Sequence, residues 1–141
     1  MKVVDANVLL YAVNEDAAHH VAARSWLDGA LSGAATVGFA WLVLVAFVRI
    51  STKAALFPRP LTVDSAMSRV ERWTAQPAAA IIEPTQRHPA LVRELLTSAG
   101  VGGNQVNDAH LAALAVEHQG EVVSYDAGFG LFPVRWERPP T

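Results

Sequence analysis

The chain contains no cysteine. Disulfide bonds and zinc–thiolate sites are therefore excluded, and the absence is compatible with a reducing cytoplasm, where we expect the protein to act. We expect no secretory signal either, because an aspartate already stands at position 5 and a single lysine is the only charge before it. These absences point away from a secreted domain held together by disulfides.

The chain also lacks an apolar run long enough to cross a membrane. Its longest run, residues 34–48, has 15 residues and is interrupted by Gly38, whereas a membrane helix needs about 20. We therefore expect this run to form buried core, and we expect no membrane association.

A global excess of basic residues is missing as well. The formal net charge is −2, whereas nucleic-acid-binding domains commonly carry a basic surface. Between Arg49 and Arg72, however, five basic residues stand against two acidic ones. This segment has two interpretations: a solvated helix surface, or a flank that faces phosphates beside an acidic metal site.

The chain does contain enough apolar material for one core. Hydrophobic residues make up 52% of the 141 residues and charged residues 17%, which is too apolar a composition for a disordered chain. No repeat, low-complexity tract or linker divides the sequence. We expect a single domain over residues 1–136 and a short C-terminal tail, residues 137–141, that frays.

Short apolar runs alternate with helical patterns, and no hairpin turn joins two of the runs. That alternation predicts an α/β fold with a mostly parallel sheet of four to five strands and helices on both faces. The predicted strands are 2–4, 35–38, 79–83, 121–124 and, at the edge, 132–136; the predicted helices are 6–13, 19–31, 40–53, 63–74, 89–99 and 104–119, the last capped by Asn104.

Three aspartates fall where such a sheet would bind a ligand. Asp5 follows the first strand, Asp126 follows the fourth, and Asp108 lies early in the helix between the third and fourth strands. Ligands of open parallel sheets sit beyond the carboxyl ends of the strands. Taken singly, each aspartate also suits a helix cap, a first helical turn or a surface turn. Together they would repel one another, and a hard cation with oxygen ligands, Mg²⁺ or Mn²⁺, would relieve that repulsion.

Three further polar residues lie near these aspartates in the sequence. Ser124 precedes Asp126 by two residues, so its hydroxyl would point to the same side and could hold a water or a phosphate oxygen. Asn7 could orient Asp5 or satisfy backbone groups. His110 is interpreted as a surface residue without a catalytic role.

Segments around these residues, taken in their order along the chain, resemble the PIN-domain ribonucleases, and most closely the VapC-type toxins of prokaryotic toxin–antitoxin pairs. The likeness runs from residue 1 to about residue 136 and lies in the ordered set more than in any one motif. The segments are Val3-Val4-Asp5-Ala6-Asn7-Val8-Leu9-Leu10-Tyr11, Phe47-Val48-Arg49-Ile50-Ser51-Thr52, Asn107-Asp108-Ala109-His110-Leu111-Ala112-Ala113, and Ser124-Tyr125-Asp126 followed by Phe129.

The resemblance implies a PIN-like three-layer α/β/α sandwich and a Mg²⁺-dependent endoribonuclease, with Mn²⁺ as a possible substitute. It implies cleavage of structured cellular RNA, tRNA or rRNA, by metal-activated water. It also implies a homodimer and a cognate antitoxin that inserts a segment near the acidic site. Carried over position by position, Asp5, Asp108 and Asp126 match the family's metal-site acids, and Ser124 matches the family's serine or threonine beside them.

The sequence departs from that family pattern at two places. Many PIN domains carry a further glutamate in the helix after the second strand, but residues 41–47 contain no acid here. The family often has another acid shortly after the last aspartate, where this chain has Ala127 and Gly128. We therefore expect one well-held cation rather than two, because Mg²⁺ can keep several of its waters when few carboxylates bind it.

Two alternatives to the ribonuclease remain open at this point. The first is a catalytically degenerate module of the same fold that binds RNA or an antitoxin, which the missing glutamate favours. The second is a different Mg²⁺ enzyme on a parallel sheet, such as a phosphatase or a phosphoacceptor domain. That chemistry wants a second acid beside the first aspartate and a suitably placed lysine, and the segment Asp5-Ala6-Asn7 lacks the acid.

Overall fold

A computed structural model describes all residues of the chain, 1–141. Five strands and six helices alternate along it, with two short 3₁₀ turns at 103–105 and 127–131. The strands are β1 (Lys2–Val4), β2 (Val37–Ala40), β3 (Ala79–Ile82), β4 (Glu121–Val123) and β5 (Trp136–Glu137); the helices are α1 (Ala6–Val13), α2 (His20–Leu31), α3 (Trp41–Ser51), α4 (Val63–Thr74), α5 (His88–Ala99) and α6 (Val106–Glu117).

All five strands are parallel and lie in the order β3-β2-β1-β4-β5. From β1 the chain moves outward through β2 to β3, and then returns across the sheet to β4. Because such crossovers are almost always right-handed, α1–α4 and α5–α6 cover opposite faces of the sheet. The predicted three-layer α/β/α fold is thereby confirmed. The direction of winding reverses between β1 and β4, which is where doubly wound sheets bind their ligands.

The bounds of two strands differ from the prediction. Strand β2 runs from Val37 to Ala40, so it begins and ends two residues later than expected. Its bounds follow from its pairing with β3, in which Val37–Ala40 lie opposite Ala79–Ile82. Strand β5 is confined to Trp136 and Glu137. Glu137 pairs with Val123, and its carboxylate accepts a hydrogen bond from Lys2 Nζ at 2.7 Å. The sheet therefore extends one residue into the tail that we expected to fray.

Helix α6 is shorter than its sequence pattern indicates. It spans Val106–Glu117, and the expected capping residue, Asn104, lies instead in the preceding 3₁₀ turn. No side chain caps this helix. At the other end, Gln119 takes a left-handed backbone conformation with φ of 55°, which turns the chain into β4.

The apolar run of residues 34–48 is only partly core. Phe47 of α3 is fully buried and packs edge-on against Trp73 of α4, with ring centroids 4.9 Å apart. Trp41 and Val45, on the outer side of α3, are about half exposed, at 50% and 57%. Helix α3 has 11 residues, and no helix of the molecule is both long and apolar enough to span a bilayer.

Candidate active site

A cavity of about 350 Å³ opens at the carboxyl ends of β1 and β4. Asp5, Asp108 and Asp126 all line it. Asp5 directly follows β1, Asp126 comes three residues after β4, and Asp108 lies in the first turn of α6. The fold therefore brings together three carboxylates that are up to 121 residues apart in the sequence, at the point where the sheet reverses its winding.

Asp5 is held by three hydrogen bonds. Its Oδ1 accepts the backbone N–H of Ala6 at 2.7 Å, which makes Asp5 the N-cap of α1. Its Oδ2 accepts the hydroxyl of Ser124 at 2.7 Å and the side-chain amide of Asn7 at 3.3 Å. The Asp5 side chain thus has two roles: Oδ1 caps helix α1, and Oδ2 joins the hydrogen-bond network with Ser124 and Asn7.

Ser124 is fully buried, and its hydroxyl is saturated within the protein. It donates to Asp5, and it accepts hydrogen bonds from the Asn7 amide and the Asp126 backbone N–H, both at 3.0 Å. A hydroxyl has one hydrogen and two lone pairs to offer, so none is left for a water or a phosphate oxygen. Ser124 therefore positions Asp5, a role different from the one its place in the sequence suggested.

Asn7 ties the loop after β4 to the start of α1. Its amide donates to Asp5 and Ser124, while its Oδ1 accepts the Tyr125 backbone N–H at 3.1 Å. Asp126 continues this network, because its Oδ1 accepts the Gly128 N–H at 2.8 Å and so begins the 3₁₀ turn. The two loops that carry Asp5 and Asp126 are in this way fixed relative to each other.

Burial and mutual repulsion oppose the ionised state of this cluster. Burial raises the pKa of Asp108 to about 6, helped by the negative charges of Asp126 and Asp5 and by a hydrogen bond to Asp126 that only the protonated acid can donate. Burial also raises the pKa of Asp5, although its hydrogen bonds from Ser124 and Ala6 act in the opposite direction. The three carboxylates thus lie close enough to penalise one another's charge.

Gly128 keeps the space between two of the carboxylates open. A Cβ at this position would lie 3.0 Å from Asp126 Oδ1 and 3.5 Å from Asp108 Oδ2. The first distance is tighter than most real Cβ contacts, so the Asp126 carboxylate would have to shift by a few tenths of an ångström. Alanine here would therefore place a methyl group beside the two acids, whereas glycine leaves that space open.

The wall opposite the acids comes from α3 and is apolar. Leu42, Val45 and Ala46 line this wall, so the cavity, like the sequence of α3, contains no fourth acid. Arg49 is the only basic residue that lines the cavity. Two amide side chains that sequence reasoning did not assign to the site, Asn104 and Asn107, line it as well. The sequence signal for Asn107 was its position directly before Asp108.

The donor set fits a hard divalent cation bound partly through water. As they stand, no three histidine, aspartate or glutamate side chains form a group that could hold a metal ion directly. The possible metal ligands in the cavity are carboxylate and amide groups, its three carboxylates outnumber its single guanidinium, and Gly128 places no side chain beside Asp108 and Asp126. Mg²⁺ retains several waters and is commonly bound through one or two carboxylates, so Asp5, Asp108 and Asp126 are suitable ligands for it.

Two sequence interpretations are changed by the structure. His110 is half-buried instead of lying on the surface, and its Nδ1 lies 2.8 Å from Nε2 of His88 on α5. The basic residues between Arg49 and Arg72 do not form one flank, because Arg49 lines the acidic cavity whereas Arg69 and Arg72 line a different one. The intervening turn, residues 52–62, separates them along the chain.

Solved structures with the same fold include toxin–antitoxin assemblies. VapBC2 from Rickettsia felis, bound to a DNA fragment from its promoter, superposes with a TM-score of 0.71 over 97% of both chains at 18% identity. VapC20 from Mycobacterium tuberculosis, described as a sarcin–ricin-loop-cleaving toxin, superposes with a TM-score of 0.68 over 92% of this chain and 93% of that one, at 14% identity. At these identities the likeness establishes the fold alone.

Sequence comparison goes further than the fold. The chain is 58% identical over 141 residues to ribonuclease VapC37 of Mycobacterium tuberculosis, a match that covers 99% of this chain and 98% of that protein. The model of the PIN domain family matches residues 2–133. The chain therefore belongs to the PIN domain family and, within it, to the VapC-type proteins.

Proposed function

We propose that this protein is the toxin of a toxin–antitoxin pair and acts as a Mg²⁺-dependent endoribonuclease in the cytoplasm. The observation that carries this proposal is the convergence of Asp5, Asp108 and Asp126 on one cavity at the switch point of the sheet. The name ribonuclease, borne by a relative of 58% identity, supports the reaction class.

Asp5, Asp108 and Asp126 would hold the cation in this proposal. When bound, Mg²⁺ would activate water for attack on a phosphodiester and offset charge on the scissile phosphate. Asp5 would be the most rigid ligand, because Ser124 and Ala6 fix both of its oxygens. Arg49, the only cation lining the cavity, would bind a phosphate oxygen of the RNA beside the scissile bond.

The substrate in this proposal is structured cellular RNA, tRNA or rRNA. The cavity presents carboxylates, two amides and one guanidinium, and RNA of that kind is recognised through its shape and its unpaired loops. The protein VapC20 is described as cleaving the sarcin–ricin loop, which makes rRNA and tRNA loops the first substrates to test.

The test is cleavage of total cellular RNA by the purified, antitoxin-free protein with Mg²⁺, with Mn²⁺ and with chelator. Discrete fragments that require the metal are expected, and mapping their ends identifies the RNA and the cleaved bond. Asp5→Asn is expected to abolish the fragments, because it removes a metal-binding carboxylate. Its amide oxygen can still accept the Ala6 N–H that caps α1, and circular dichroism checks that the fold is retained.

Asp64→Asn provides the matched control for that variant. Asp64 is an exposed aspartate in the first turn of α4, away from the acidic cavity, so its replacement removes one charge without touching the site. Equal activity of the wild-type protein and Asp5→Asn, or equal loss in Asp5→Asn and Asp64→Asn, would contradict the proposed role of Asp5.

A catalytically degenerate RNA- or antitoxin-binding module is the second candidate function. The apolar wall of Leu42, Val45 and Ala46, where related domains carry a fourth acid, favours it. Metal-dependent binding of RNA with intact RNA in every lane would establish this alternative. Restoring the acid by Ala46→Glu is then expected to create or increase cleavage, because the new carboxylate would reach the cavity that Ala46 lines.

We also propose that an antitoxin covers the apolar strip formed by Trp41, Leu42, Val45 and Met67. These side chains are 36% to 57% exposed. Leu42 and Val45 also line the acidic cavity, so a segment lying on the strip would reach the carboxylates. A homodimer is proposed from the family resemblance, with its interface not assigned to any residue.

Two measurements test these partner proposals. Trp41→Ala is expected to weaken the complex with the antitoxin at least tenfold, because a half-exposed tryptophan beside a cavity is a typical anchor of an interface. Light scattering of the free protein is expected to give twice the 15.1 kDa mass of one chain. A monomeric mass would refute the homodimer and leave the antitoxin proposal standing.

A further inference from the structure

A second cavity, of about 570 Å³, lies between α2, α4 and the end of α1. It shares no lining residue with the acidic cavity. Three arginines line it: Arg24 from α2, and Arg69 and Arg72 from α4. We call it the arginine cavity.

Arg69 is the least satisfied of the three arginines. Its Nε is buried and has no hydrogen-bond partner, although unpaired buried donors are rare and costly in folded proteins. Burial, followed by the positive charges of Arg72 and Arg24, lowers the pKa of its guanidinium. The cavity therefore holds like charges close enough to repel one another.

The acids nearby leave these arginines largely unpaired. The only ion pair among the lining residues joins Arg24 Nε and Asp28 Oδ2 at 3.9 Å, and both side chains are mostly exposed. Neither Arg69 nor Arg72 forms an ion pair with any carboxylate of the chain. Glu15 also lines the cavity, so three guanidiniums against two carboxylates leave an excess of one positive charge.

Several other polar groups of the cavity already have partners. The Ser32 hydroxyl donates to the carbonyl of Asp28, the Gln76 amide donates to the carbonyl of Arg72, and Nδ1 of His20 lies 2.9 Å from the carbonyl oxygen of Tyr11. The charged donors left for a ligand are thus the guanidiniums. Their planar forks match the oxygens of a phosphate, and an excess of one positive charge matches a single phosphodiester.

We propose that the arginine cavity binds a phosphate group through Arg69, Arg72 and Arg24, at a site separate from the acidic cavity. The assignment of that phosphate to the backbone of bound RNA rests on the proposed function; a free phosphate compound is the other source of the same chemistry. As an RNA contact, the cavity holds the substrate outside the scissile bond and adds affinity without reading sequence.

The first test uses inorganic phosphate with the full chain, in chelator, at constant ionic strength set with chloride. Phosphate is expected to raise the unfolding temperature of the wild-type protein, and the double variant Arg69→Gln/Arg72→Gln is expected to bind it at least tenfold more weakly. The double variant Arg87→Gln/Arg93→Gln removes two exposed arginines from the region of α5 and is expected to bind like the wild-type protein. Equal binding by all three proteins, or none, overturns the proposal.

The second test measures RNA binding in the Asp5→Asn background, so that cleavage does not interfere. The double variant of the arginine cavity is expected to weaken binding several-fold and to reduce the slope of log K against log salt by about 0.7 to 0.9, the value of one phosphate contact. Arg69→Lys keeps the positive charge but lacks the planar guanidinium. Its RNA affinity is expected to lie between that of the unchanged cavity and that of the double variant Arg69→Gln/Arg72→Gln. Circular dichroism checks that each variant is folded.

The outcomes separate this inference from the proposed function. Phosphate binding that is lost in the double variant, in a protein that binds no RNA, supports the site and assigns it to a free phosphate compound. Metal-dependent RNA cleavage by a protein that binds no phosphate in this cavity supports the nuclease and overturns the site. Displacement of phosphate by a polyglutamate peptide at a lower concentration than by RNA also overturns it, because the cavity would then accept an acidic protein segment.

Discussion

Ser124 Oγ lies 2.7 Å from Oδ2 of Asp5 and donates its hydrogen to that carboxylate. The two residues are 119 positions apart in the sequence and belong to neighbouring strand ends. Because the same hydroxyl also accepts the backbone N–H of Asp126, one buried side chain sets the relative position of two of the three acids.

Replacing this hydroxyl is expected to disturb catalysis more than folding. Ser124→Ala removes the donor to Asp5, so we expect metal affinity or cleavage to fall about 10- to 100-fold, as for other groups that orient metal ligands. The Ser124 hydrogen bond lowers the pKa of Asp5, so the acid limb of the pH–activity profile should move to higher pH. Ser124→Thr, which restores the hydroxyl, should recover part of both effects; an unshifted profile in Ser124→Ala would argue against a positioning role.

Removing the charge of Asp108 is expected to stabilise the metal-free protein at neutral pH while abolishing cleavage. Its pKa is raised to about 6, so its contribution to stability is fully present below its ordinary pKa of 3.8 and is lost as the pH rises through about 6. In chelator at pH 8, the free energy of unfolding of Asp108→Asn should therefore exceed that of the wild-type protein by about 1 kcal/mol. This figure allows for solvent screening at the half-exposed carboxyl.

Thermal unfolding as a function of pH measures this difference. One kcal/mol corresponds to roughly 2 to 5 °C in a domain of this size. The gap should shrink as the pH falls below about 6 and should close only below about pH 3.8, where Asp108 is protonated in both the folded and the unfolded wild-type protein. Mg²⁺ should reduce the gap at pH 8 by stabilising only the wild-type site. A gap that is constant from pH 4 to pH 8 would mean that charge repulsion is not its cause.

Gly128 and Gly130 form a matched pair for testing the space between the acids. Gly128→Ala would place a methyl group 3.0 Å from Asp126 Oδ1, whereas a Cβ at Gly130 meets nothing within 4 Å. We expect Gly128→Ala to lose at least tenfold in metal affinity with little change in the unfolding temperature, and Gly130→Ala to resemble the wild-type protein. Isothermal titration with Mn²⁺ measures this, and equal affinities for the two variants would exclude Gly128 from the site.

Glu117 joins the start of α5 to α6 on the face opposite the arginine cavity. Its Oε1 accepts the backbone N–H of Thr85 at 3.1 Å and the Thr85 hydroxyl, and its Oε2 lies 2.8 Å from His88 Nδ1. Burial raises the pKa of Glu117, but the hydrogen bonds from Thr85 and His88 outweigh it, and the net shift is downward from 4.5. The stabilisation is therefore present above about pH 4.5 and is lost as the pH falls below it.

Glu117→Gln is expected to cost about 1 to 2 kcal/mol of unfolding free energy at pH 7, since hydrogen bonds to a charged acceptor are replaced by weaker ones. Urea unfolding at pH 7 and at pH 3.5 measures the cost, which should shrink at the lower pH. The control is Glu94→Gln, an exposed position of α5. Cleavage by Glu117→Gln is measured at a temperature where the variant is fully folded. A loss of cleavage under that condition would indicate that the contact between His88 and His110 helps to position Asp108, which lies on the same helix as His110.

The sequence carries most of the fold because its apolar patterns are local. The run Val3-Val4 before Asp5 and the helical spacing of Ala112 and Ala115 identify a buried strand and a closely packed helix without any tertiary information. The alternation of strands and helices predicts a mostly parallel sheet, and the observed sheet is parallel throughout. Boundaries shifted where pairing decided them, as at β2, whose four residues match the register of β3.

Within the candidate site, the sequence determined the identity of the three aspartates and their positions at strand and helix ends. Tertiary structure alone decided what each neighbour does. The Ser124 hydroxyl donates its hydrogen to Asp5, although no local sequence pattern relates the two residues. Arg49 and Arg69 line different cavities, because the packing of α3 and α4 separates them. The raised pKa of Asp108 likewise arises from burial and from charges brought close by the crossover from β3 to β4, which places β4 beside β1. This physical effect exists only once the chain has folded.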